Sequence, residues 1–170
     1  MQRLIVIGSI LAFAAPAAVA DANSVLAPVR FAPAAGWRTA TGTVQACPGT
    51  PLSRCAQVTS AAATTAWRDC VECLPHRTVA AMGRNGVAIQ ITVAIEHPIR
   101  ARRTFAWPPR IRRASVYAGF EGLPKRVGAY QGSTLAGRRE VSVFVLFGRA
   151  RPTPLQLRRA NIELRRARLG

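Results

Sequence analysis

The chain has 170 residues, carries 24 Lys and Arg against 7 Asp and Glu, and is 49% hydrophobic, with a formal net charge of +17. That length suits one domain able to bury about two-thirds of its unfolded surface. So few acids against so many cations imply attraction to polyanions: envelope glycolipid, anionic polymer or nucleic acid. Lys125 is the one lysine. A GC-rich bacterial genome accounts for arginine over lysine, though not for the shortage of acids; arginine also forks onto phosphate and carboxylate bidentately.

The chain opens with the pattern of a cleavable signal peptide, expected over residues 1–20. Arg3 supplies the positive end, Leu4 to Ala15 is apolar or small with Ser9 its one polar residue, Pro16 breaks the run, and Ala18-Val19-Ala20 gives the small-x-small cleavage pattern before Asp21. Twelve helical residues cover only about 18 Å, against about 30 Å of hydrocarbon, so the run is too short for an anchor. Cleavage between Ala20 and Asp21 places the mature protein outside the cytoplasm, secreted or periplasmic, and removing Arg3 lowers the net charge to +16.

Residues 21–36 are rich in Ala and Pro without periodicity, which predicts a flexible segment ahead of one globular domain over 37–170. Thr39, Thr41 and Thr43 alternate with small residues in a strand over Trp37 to Ala46. Pro48-Gly49 and Pro51 mark a turn, and Cys55 to Thr59 returns as a strand; Ser60 to Thr65 has no clear type. Asp69 to His76 forms a compact cysteine loop ended by Pro75. From Val87 to Ile95 every odd position is β-branched and every even one small or polar, a strand with one buried face. Ala114 to Tyr117 and Arg126 to Gln131 are weaker strands. Val141 to Phe147 is apolar on both faces apart from Ser142, as in a central strand covered on both sides.

Thr153 and Pro154 start a C-terminal helix running to about Arg168. At about 100° per residue, Leu157, Ala160, Leu164 and Ala167 form one stripe; Leu155, Ile162 and Leu169 form another on the opposite side. Arg158 and Arg165 flank the second stripe on one edge, Arg159 and Arg166 on the other. This face is either a solvated surface whose arginine stems cover leucine or a face for anionic membrane or an acidic protein partner. A second basic cluster holds Arg100, Arg102, Arg103, Arg110, Arg112 and Arg113 around Phe105 and Trp107, with three prolines and no acid. Its composition resembles that of cationic membrane-active peptides. Arginine meets headgroup phosphate while tryptophan sits at the interface. Stacking of single-stranded nucleic acid is possible but not favoured, and the aromatics could instead plug into the core.

Cys47, Cys55, Cys70 and Cys73 predict two disulfides in an exported chain. The pairing Cys47–Cys55 with Cys70–Cys73 is preferred, with crossed pairings open. Cys70-Val71-Glu72-Cys73 has redox spacing, but no βαβ pattern surrounds it and Glu72 opposes thiolate formation. Haem attachment fails because Leu74 follows the second cysteine. A zinc site of Cys70, Cys73 and His76 is disfavoured by an oxidising compartment, so no metal or cofactor is expected. Glu96-His97 ends the best strand and is the one constellation with catalytic chemistry, although adjacent strand residues point to opposite faces. No nucleophile elbow, P-loop, zinc-protease helix or dinucleotide loop is present. The expected architecture is α+β: a small antiparallel sheet, stapled by disulfides in its N-terminal part, with the amphipathic helix packed on it. The expected function is non-enzymatic binding of anionic surfaces. The alternatives are a small enzyme or thiol-redox protein, and a structural subunit with an acidic partner.

Overall fold

The computed structural model describes residues 26–96, 105–137 and 139–170. Seven strands form one antiparallel sheet: β1 (Arg38–Thr41), β2 (Gln45–Ala46), β3 (Cys55–Ala63), β4 (Val87–Glu96), β5 (Tyr117–Ala118), β6 (Gly128–Ala136) and β7 (Arg139–Phe147). The spatial order is β1-β3-β4-β7-β6-β5, and β2 also pairs with β3. Among the described residues two α-helices accompany the sheet in an α+β arrangement, α1 (His76–Ala81) and α2 (Pro154–Arg166). Gly137, at φ +64°, opens the β6–β7 turn in the left-handed conformation that tight hairpin turns require.

The period-two pattern of β4 decides which face is which. Val87, Ile89, Ile91 and Val93 are all buried and stand in register with Phe147, Val145, Val143 and Val141 of β7. Ala160, Leu164 and Ala167 of α2 pack on this face, joined by Leu26, Val29, Trp37 and Ile111. The opposite face carries a smaller core, Ala88, Ala129 and Leu146 under Val79, Met82, Leu123 and Val127. This second layer explains why β7 reads as apolar on both sides: Leu146 and Phe144 face it, and Ser142 lies beyond its edge.

Several sequence expectations shift. The Ser60–Ala63 stretch continues β3, because pairing with β1 and β4 on either side supplies the partners that its small residues do not encode. The Thr-rich strand breaks at Gly42, where the Glu72 carboxylate occupies the place a Cβ would take. The expected strand at Ala114 begins as a 3-10 turn over Arg113–Ser115. The expected signal peptide over 1–20 and residues 21–25 of the segment expected to be flexible over 21–36 lie outside the described residues; residues 26–36 are docked. Leu26 and Val29 are buried, Arg30 and Arg168 exchange two backbone hydrogen bonds of 2.9 Å, and the Ala34 N–H donates to Glu163 Oε1 at 3.0 Å. The physical reason lies on α2. Its buried arc extends past Ala160 and Ala167 to two polar residues, Gln156 and Glu163, whose side chains bind backbone from elsewhere in the chain.

α1 is held from a distance. The Asp69 carboxylate accepts from the N–H groups of Arg77 (3.0 Å) and Thr78 (2.8 Å) and from the Thr78 hydroxyl (2.6 Å). Burial pushes this carboxyl up. The Thr78 hydroxyl, the two N–H groups and the Arg77 charge outweigh it and hold the group below its ordinary value. A group lowered in this way contributes stability above the ordinary carboxylate range, near pH 4, and loses that contribution as pH falls through its folded value. Asp69→Asn is therefore expected to cost about 1 kcal/mol at pH 7, and the gap from the wild type should narrow as pH falls below the ordinary carboxylate value. Urea unfolding over a descending pH series measures it; a gap that does not narrow would contradict the assignment.

Candidate functional site

The cysteines pair as the sequence favours, Cys47 with Cys55 and Cys70 with Cys73. Two disulfides are the mark of an oxidising, extracytoplasmic environment. Among the described residues no helix is long and apolar enough to cross a membrane. The Cys70–Cys73 loop is tied to the sheet by Gln90, whose Nε2 donates to the carbonyls of Val71 and Cys73.

α2 starts where Thr153 caps it: the Thr153 hydroxyl accepts from the Gln156 N–H (3.2 Å), and Gln156 Oε1 accepts from the Thr153 N–H (2.9 Å). This fixes the helix rotation that the arginines follow. Arg158, Arg159, Arg165 and Arg166 are all exposed, and Leu155, 57% exposed, lies between the two arginine rows with the partly buried Ile162. Arg166 reaches Glu163 Oε1 at 3.5 Å, while the other three form no ion pair among the described residues.

The second basic cluster joins this face through one side chain. Asn161 Oδ1 accepts from the Ile111 N–H at 2.7 Å, and Asn161 Nδ2 donates to the Ile111 carbonyl at 3.0 Å. Ile111 itself is buried in the main core. The amide thus clamps the 110–113 backbone to α2, one turn from both Arg158 and Arg165. Arg110, Arg112 and Arg113 are exposed beside them. Phe105 and Trp107 are partly buried and pack against the main core, so in this segment the exposed chemistry is arginine. On the other edge of the helix Arg159 turns away from this group and lines a polar hollow with Thr64, Thr65, Arg84 and Asn85.

Arg100, Arg102, Arg103 and His97 lie outside the described residues. Glu96 ends β4, paired in register with Cys55. Sequence reasoning missed Arg84 and Asn161. Arg84 carries no pattern of its own; Asn161 sits in the arginine row and reads as one more polar residue. No protein-family model, curated protein or solved structure matches this chain.

Proposed function

We propose that this chain is an exported, non-enzymatic domain that docks on anionic surfaces through one arginine-rich side. The observation that carries the reading is the Asn161 clamp on Ile111, which merges two basic segments some fifty residues apart in sequence into one surface. Arg112 and Arg113 follow the clamped Ile111, and Arg158 and Arg165 lie about one turn either side of Asn161 on α2, whose exposed face also carries Leu155 and the partly buried Ile162. An apolar line between arginine rows suits an anionic membrane: the guanidinium groups meet phosphate and the leucine enters the headgroup boundary. The hollow between Arg84 and Arg159 adds a polar recess of the kind a phosphate occupies. An extended acidic protein would need the arginines and not the leucine.

Co-sedimentation with vesicles tests the reading. Binding is expected to vesicles containing anionic lipid at low salt, to weaken steeply towards physiological salt, and to be absent from neutral vesicles. Equal binding to both vesicle types would overturn it. Export is tested separately: intact-mass analysis of protein recovered from periplasm or culture fluid is expected to show a chain beginning at Asp21, and a retained Met1 would contradict the signal peptide.

A further inference from the structure

Among the described residues, the small core covers one end of the sheet face away from α2. Beyond the small core, the even-numbered residues described in β4 and β7 are half-buried, and two hollows adjoin there with Thr92 and Ser142 common to both. The result is one groove across β3, β4, β7 and β6. The Cys70–Cys73 loop forms one wall and the Cys47–Cys55 loop the other, each closed by its disulfide.

The lining is unlike the rest of the molecule. Glu72, Gln90, Thr92, Gln131, Glu140 and Ser142 supply carboxylate, amide and hydroxyl groups. In a chain with 24 Lys and Arg, no arginine, lysine or histidine lines the groove among the described residues. One edge is aromatic: Phe120 and Phe144 lie 4.8 Å apart, centroid to centroid, and Tyr117 continues the row at 6.1 Å from Phe120.

Charge narrows the ligand class. Among the described residues an anionic ligand would meet two carboxylates and no compensating cation. A cationic ligand would be repelled at long range by a chain of net charge +17. A neutral ligand that presents many hydroxyl groups avoids both costs. Carboxylate and amide oxygens accept from its hydroxyls, the Gln131 N–H groups donate to its oxygens while those of Gln90 hold the Cys70–Cys73 loop, and the C–H face of a sugar ring stacks on phenylalanine. We infer that this groove is a binding site for a neutral oligosaccharide, on the side of the sheet opposite the arginine face. The inference does not depend on surface docking.

The test is an NMR titration of the full disulfide-bonded domain with cello-, chito-, malto- and xylotetraose in turn. At least one is expected to give saturable shifts at the amides of Thr92, Gln131 and Ser142. Phe120→Ala and Gln131→Ala should each weaken that binding about tenfold, which corresponds to about 1.4 kcal/mol. Gln131 is exposed, so its variant keeps the test valid if loss of Phe120 disturbs the small core. Spermine serves as the cationic control. No shifts with any of the four sugars, unchanged affinity in the Gln131 variant, or groove shifts with spermine alone would overturn the inference.

Discussion

Gln156→Ala is expected to lower stability by about 3–5 kcal/mol, while Leu155→Ala, one residue earlier, should change it by less than about 0.5 kcal/mol. The contrast inverts what hydrophobicity alone would rank. Leu155 is 57% exposed and its loss opens no cavity, whereas Gln156 is 1% exposed. Its amide nitrogen donates to the carbonyls of Arg84 (3.1 Å) and Gly86 (3.0 Å), and its amide oxygen accepts from Thr153. Truncation would remove the donor from two carbonyls and the acceptor from the Thr153 N–H, each at about 1–3 kcal/mol where water cannot substitute. It would also free the start of α2 from the turn between α1 and β4. Gly148 makes that turn possible, since a Cβ there would collide with the Gly83 carbonyl, and its N–H donates to Gly86 at 3.0 Å. Urea midpoints of the two variants, at unchanged slope, provide the measurement. Equal effects would mean that Gln156 only fills space.

What was legible in the sequence was what local pattern encodes. The alternation in Val87–Ile95 shows β4 with its buried face, the two-sided run at Val141–Phe147 shows a central strand, and Thr153-Pro154 shows the start of α2. The cysteine spacing favoured the observed pairs because each closes a short loop. What stayed hidden depends on partners far along the chain. α1 spans six residues, and the N–H groups of Arg77 and Thr78 in its first turn are bound by Asp69 from the far end of the cysteine loop. Residues 26–36 look like a tail until Glu163 and Arg168 are in place to receive them. A helical projection sets Gln156 and Glu163 beside Ala160 and Ala167, but polar residues there read as solvent-facing unless their backbone partners are known. The groove draws on four strands and two loops, so no stretch of sequence announces it. The two arginine rows were visible as periodicity; that Asn161 binds the 110–113 segment to them was not.

The surface account leads to a second large effect. Each arginine held near an anionic bilayer contributes about 1 kcal/mol, so replacing Arg158, Arg159, Arg165 and Arg166 with glutamine should weaken vesicle binding about 100- to 1,000-fold. The fold should survive. The buried arc of α2 is untouched, and where the Arg166–Glu163 pair is lost, between a cation 47% exposed and a carboxylate 1% exposed, the glutamine amide at 166 can still donate to Glu163.

Co-sedimentation of the wild type and this quadruple variant with anionic vesicles, at low and at physiological salt with unfolding midpoints checked in parallel, tests the central claim most directly. The account predicts strong, salt-sensitive binding by the wild type and near loss of binding by an equally folded variant. Unchanged binding by the variant would contradict it, and would leave the helix arginines as a solvated face.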